Sequence, residues 1–158
     1  MEYAIKKERL YEGGNERLRY RVEYPVIEEK EKINRFFEEI AGNCAVYCRE
    51  ALYEDACRTK ERYVYVFTAA VAHLDDKALS VLLCARLFRG SEQISRFLRP
   101  LTWDLRTDLL MPEKLLIRHY GEKGNKYREK DCFLYNGSLV SASDESVIKR
   151  VEKSKYKK

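Results

Sequence analysis

The 158-residue chain is 45% hydrophobic and 36% charged, with a mean hydropathy of −0.58. These values exclude collagen-like, low-complexity and disordered classes and leave room for one proper core. The net charge of +5 resides in the last ten residues, where Lys149, Arg150, Lys153, Lys155, Lys157 and Lys158 face Glu152 alone, so residues 1–148 balance and a nucleic-acid partner is not favoured.

The opening Met1-Glu2-Tyr3-Ala4-Ile5-Lys6 carries no apolar signal core. Residues 3–11 and 16–27 are predicted as strands joined across Glu12-Gly13-Gly14-Asn15, a sequence that supplies positive φ at little cost. In the second strand Leu18, Tyr20, Val22, Tyr24 and Val26 alternate with Arg17, Arg19, Arg21 and Glu23, and Pro25 argues against a central position. Ile33, Phe36, Phe37, Ile40, Cys44, Tyr47, Cys48, Ala51 and Leu52 then recur at spacings of three and four, predicting one long amphipathic helix over residues 30–58. Gly42-Asn43 is where such a rod is expected to weaken.

Strands follow. Tyr63, Tyr65, Phe67, Ala69 and Val71 share one predicted face, with a turn at Leu74-Asp75-Asp76-Lys77-Ala78. The return strand, Ala78 to Phe88, is apolar on both faces, which demands a central place; it is far too short to span a bilayer. Arg89-Gly90-Ser91-Glu92 leads to a strand bearing Phe97, Leu101, Trp103 and Leu105, and Pro112 opens a short helix. Gly121 to Lys130 is a polar loop. Asn136-Gly137 between Phe133–Tyr135 and Leu139–Val140 is the clearest tight-hairpin signal. A short helix after Ser143-Asp144-Glu145-Ser146 is expected to fray into a basic tail over 149–158, leaving 1–148 as a single domain.

The expected fold is α+β: one long helix packed on a twisted, mainly antiparallel sheet of about five to seven strands.

Candidate reaction centres are sparse. His73 stands beside Asp75-Asp76, the pattern of a base and its orienting carboxylate, and His119 is the second histidine; either defines an alternative reading as a small hydrolase. Cys44 and Cys48 lie one helical turn apart, yet no second ligand pair completes a zinc site, so no metal or cofactor is expected. All five cysteines (Cys44, Cys48, Cys57, Cys84, Cys132) lack C-x-x-C spacing and read as reduced core thiols. Glu38-Glu39, Glu54-Asp55 and Asp75-Asp76 read as solvated carboxylates, and Gly121-Glu122-Lys123-Gly124 as a surface loop rather than a backbone clamp. An interaction face is better supported. Arg17, Arg19 and Arg21 project from one side of a strand about 7 Å apart, with Arg86, Arg96 and Arg99 on strands expected nearby. Arginine and the twelve tyrosines together are the composition of binding hot spots.

Several motifs occur in a suggestive order: Tyr24-Pro25-Val26 before a helix containing Ile33-Asn34, then Leu79-Ser80, then Trp103-Asp104-Leu105-Arg106-Thr107, then Phe133 through Gly137 to Leu139-Val140. Over residues 18–140 this resembles the extracytoplasmic domain family of lysozyme-sensing anti-sigma factors, found also as the accessory domain of some peptidoglycan deacetylases. That family carries "YPV", "IN", "LS", "FDLxTGK" and "FYxxxxGLV" in the same order. Its "GGAH" turn is Arg89-Gly90-Ser91-Glu92 here, and its "TGK" reads Thr107-Asp108-Leu109. The resemblance implies an α+β fold without catalytic apparatus, acting as a sensor or binding module at the cell envelope. The chain as written lacks the family's export signal or anchor, so the expected compartment is the cytosol, although the family is mostly extracytoplasmic.

The sequence therefore predicts a non-enzymatic binding or sensing domain. It would recognise a protein or a cell-envelope polymer through Arg17, Arg19, Arg21, Arg86, Arg96 and Arg99, with no membrane segment. Self-association through a strand edge is a further option.

Overall fold

The computed structural model describes residues 3–122 and 131–156, with side chains as far as Lys153. Strands β1 (Ile5–Gly14) and β2 (Leu18–Ile27) form an antiparallel hairpin, in register from Gly14 opposite Arg19 to Lys7 opposite Val26, with an irregularity between Ile5 and Lys7. The turn is built by Asn15, whose Oδ1 accepts the N–H groups of Arg17 at 2.8 Å and Leu18 at 3.3 Å. Gly14 is required there. Its φ is +103°, and a Cβ would strike the Leu18 carbonyl.

The crossover after β2 is helical. Asn34 fixes its start by accepting the Ile27 N–H and donating to the Ile27 carbonyl, both at 2.8 Å. Helix α1 (Glu31–Tyr47) passes through a π-helical turn (Cys48–Leu52) into α2 (Tyr53–Thr59), 29 helical residues in all. The predicted rod is therefore present, but its irregularity falls at 48–52 rather than at Gly42-Asn43. The buried positions explain this. Ile33, Phe37 and Ala41, then Cys48, Leu52 and Ala56, recur every four residues, and each such step overshoots an α-turn by about 40°. A wider turn takes up that drift and keeps the stripe aimed at the sheet. Tyr47 and Ala51, expected in the stripe, are exposed.

Because the helix intervenes, β2 pairs with β3 (Tyr63–Leu74) in parallel, Leu18 opposite Tyr63 through Glu23 opposite Thr68. The ladder ends before Pro25, so the proline is compatible with an internal strand. The three-residue link to β4 (Ala78–Arg89) and the two-residue link to β5 (Glu92–Asp104) make antiparallel hairpins, and β5 pairs with β6 (Leu109–Leu110). Gly90, at φ +63°, opens the second turn. The six-stranded sheet runs β1-β2-β3-β4-β5-β6; it is mixed and mainly antiparallel. As expected of a strand apolar on both faces, β4 is internal, and all of 78–84 is buried.

The chain gathers into two compact units. The first holds Ile5–Ala69 and Cys84–Phe97. Its core stacks Tyr24 on Phe37, ring centroids 6.4 Å apart, and at its margin the exposed Tyr47 ring stands edge-on to Tyr65 at 6.0 Å. The second holds Ala70–Leu83 and the chain from Leu98. Here α3 (Glu113–Tyr120), the separate hairpin β7 (Cys132–Tyr135)–β8 (Ser138–Ser141) and α4 (Glu145–Tyr156) supply the packing. The hairpin turn is Asn136-Gly137, both at positive φ, as the dipeptide predicts. Phe133, Val147, Ile148 and Val151 close on Ala70, Ala72 and Leu82, while Leu116, Cys132, Leu134 and Leu139 close on Ala78. Between them the Ser80 and Thr102 hydroxyls hydrogen-bond each other, and Ser80 Oγ accepts the Leu134 N–H at 2.9 Å.

Two expectations change here. In β3 the buried positions shift from Tyr63, Tyr65, Phe67 and Ala69 to Ala70 and Ala72, leaving Val71 half-exposed; past Ala70 the reverse of the strand is covered by the protein's own segments. The expected loose tail is largely helix, since α4 continues to Tyr156 and Val151 is wholly buried.

Candidate functional site

In the first unit β2 presents Arg19 and Arg21 as exposed positions between buried Leu18 and Val22. The parallel register puts them beside Val64 and Val66, and the antiparallel one beside Gly14 and Glu12. Two open grooves meet at Arg19 and Val64. One, about 430 Å³, is lined by Glu16, Arg19, Arg62, Tyr63, Val64 and Gly90. The other, about 370 Å³, adds Glu12, Gly13, Gly14, Tyr20 and Arg21. Three arginines thus line a continuous surface against two glutamates. Arg21 is held loosely, 3.8 Å from both Glu12 and Glu23. Arg19 and Arg62 make no side-chain hydrogen bond or ion pair among the described residues.

The six arginines singled out by sequence do not form one cluster. Arg19 and Arg21 are together. Arg17 lies in the turn before β2, and its Nη1 donates to the Lys60 carbonyl at 2.7 Å, tying the helix end to the strand start. Arg86 is half-buried on β4, and β3 intervenes between β4 and β2; Arg96 is exposed on β5. Arg99 belongs to the second unit, where it lines a smaller cavity of about 220 Å³ with Thr102, Met111 and Cys132. Arg62 was missed. Only the parallel pairing, which starts at Leu18 opposite Tyr63, brings it to Arg19. Of the tyrosines, Tyr20 and Tyr63 line the grooves, Tyr24 and Tyr65 are buried, and the residues flanking Arg19 and Arg21 on β3 are valines.

His73 is used differently. Its Nε2 lies 2.7 Å from Asp75 Oδ2, and its Nδ1 accepts the Gly137 N–H at 3.0 Å. Since Nδ1 is an acceptor, Nε2 carries the proton and donates to Asp75. Asp75 Oδ1 in turn accepts the Lys77 and Ala78 N–H groups at 2.8 and 2.7 Å. Burial raises the Asp75 carboxyl, but the two backbone N–H bonds and His73 outweigh it and leave the group below its ordinary value. Both ring nitrogens are spent on joining two hairpin tips, which leaves neither to take a substrate proton. His119 is exposed on α3.

All five cysteines are free thiols; Cys48, Cys84 and Cys132 are buried, but Cys44 is half-buried and Cys57 exposed. Burial pushes the Cys48 thiol up to about 12 and Cys132 up to about 11, and Cys44 Sγ accepts the Tyr65 Oη–H at 3.6 Å. Such thiols are poor nucleophiles. Glu38, Glu39 and Glu54 are exposed. The G-x-x-G reading at 121–124 falls partly outside the described residues. No described helix is long and apolar enough to cross a membrane. The Trp103-to-Thr107 motif is a turn: Asp104 Oδ1 accepts the Arg106 N–H at 2.9 Å, and its carbonyl accepts the Asp108 N–H at 2.8 Å.

No family model and no curated protein matches the chain. Among solved structures it is similar to a DUF3298 family protein from Pseudomonas aeruginosa PAO1, with 14% identity and a TM-score of 0.45. The match covers 71% of this chain and 55% of the other, so the chain spans about half the length of that neighbour.

Proposed function

We propose that this chain is a non-catalytic binding or sensing domain that takes an acidic ligand, a protein or a cell-envelope polymer, on the groove lined by Arg19, Arg21 and Arg62. The observation that carries the reading is that Arg19 and Arg62 line one open surface and neither side chain is paired with a carboxylate among the described residues, while the nearest approach to a reaction centre, His73, is bonded at both nitrogens. Paired guanidinium groups recognise carboxylates and phosphates by charge-assisted, directional hydrogen bonds. Arg19 and Arg21 stand on the paired strand β2 and Arg62 immediately precedes β3, so regular structure positions all three. The envelope assignment rests on the motif resemblance of residues 18–140.

The test is binding of the purified chain to soluble cell-wall fragments and to poly-L-glutamate, by fluorescence anisotropy. Wild type binds at least one, and Arg19→Ala with Arg62→Ala weakens it roughly tenfold or more. Equal affinity for wild type and double variant places the contact elsewhere. Turnover of any cell-wall fragment that is abolished by His73→Gln would favour the hydrolase reading instead.

A further inference from the structure

The first half of β5 is exposed in a way no other described strand matches. Glu92, Gln93, Ile94, Ser95, Arg96 and Phe97 are all exposed, so neither face of this stretch is covered; Ile94 is 39% and Phe97 56% accessible. One edge belongs to β4. On the other side β6 reaches only Trp103 and Asp104, so among the described residues no strand pairs with the outer edge of 92–97. Alternate residues of an antiparallel strand turn their N–H and C=O groups outward, and this row of groups is a template for another strand. Neither proline nor lysine, the usual edge guards, occurs between Glu92 and Phe97.

We propose that this edge pairs with the same segment of a second copy of the chain, antiparallel, about a two-fold axis through Ile94. The choice of occupant comes from the sequence being complementary to itself, as an isologous contact requires. With the axis at Ile94, Glu92 of each copy stands opposite Arg96 of the other, giving two cross-strand ion pairs. Gln93 stands opposite Ser95 twice, and the two Ile94 side chains meet at the centre. Moving the axis by half a residue sets Glu92 against Phe97 and Arg96 against Gln93; moving it to Ser95 sets Glu92 against Leu98 and Arg96 against Ile94. Either shift loses both ion pairs, so charge selects one register. A foreign strand would have no reason to match this pattern.

The test is sedimentation velocity of the full chain up to about 1 mM. Wild type shows a monomer–dimer equilibrium that shifts toward dimer with concentration. Glu92→Arg alone sets four arginines across the two-fold axis, and Arg96→Glu alone sets four glutamates; each is monomeric over the same range, with thermal unfolding like wild type. An equimolar mixture of these two variants restores both opposite-charge pairs and sediments as a heterodimer. A wild type monomeric throughout overturns the proposal. So do single variants that dimerise like wild type, or a mixture that stays monomeric while wild type dimerises.

Discussion

His73 in the second unit and Arg19 in the first are both polar side chains standing on strands, and their surroundings differ completely. His73 is nearly enclosed, its side chain 10% accessible, with one nitrogen on Asp75 and the other on Gly137. Arg19 is exposed, lines a groove beside Arg62, and makes no ion pair among the described residues. Polar capacity that is saturated within the chain stabilises the chain. Capacity that is left over on a rigid surface is available to something else. By that criterion the constellation that most resembles catalytic chemistry is a staple between turns, and the plainer charged strand is the better candidate for contact.

The contrast can be attacked at decreasing scale. The largest effect belongs to the packing beneath the staple. Phe133, fully buried among Ala70, Leu82 and Val147, leaves a cavity as Phe133→Ala and lowers stability by about 3–5 kcal/mol in urea unfolding. Next comes the turn that sets the groove. Gly14→Ala forces a side chain into φ +103° and against the Leu18 carbonyl, for a loss of about 2–3 kcal/mol.

The staple itself gives a smaller change with a pH signature. Asp75→Asn costs roughly 1–2 kcal/mol at pH 6. Because the folded-state carboxyl lies below its unfolded value of about 3.9, its contribution is full above that value and fades as pH falls through the folded pKa. The difference between wild type and Asp75→Asn therefore narrows between about pH 5 and pH 2. A gap that widens on acidification would show that the charge is not stabilised as described. Smallest of all, Arg19→Ala with Arg62→Ala shifts stability by less than about 0.5 kcal/mol, because neither side chain is committed inside the fold. A loss of several kcal/mol would make the arginines structural and remove the contrast.

Much of the fold was legible because local rules and tertiary needs agreed. The 3.6-residue periodicity gave the long helix, Asn136-Gly137 gave its hairpin, and the two-faced apolar run of β4 gave an internal strand. What was not legible depended on pairing across distance. The parallel β2–β3 register brings Arg62 to Arg19 and moves Arg86 out of reach, and nothing in the spacing of 19 and 62 announces it. The change of buried positions along β3 arises from Phe133 and α4, segments far away in sequence. Likewise the basic residues after Ile148 read as a solvated tail, although Val151 sits one helical turn beyond Val147 and completes the same apolar stripe.

The most direct test is a side-by-side affinity measurement for soluble cell-wall fragments and poly-L-glutamate on two variants, His73→Gln and Arg19→Glu with Arg62→Glu. The expected result is wild-type affinity for the histidine variant and loss of binding for the arginine pair, both chains remaining folded. Binding that survives reversal of both arginines, or that vanishes with His73 alone, would contradict the account.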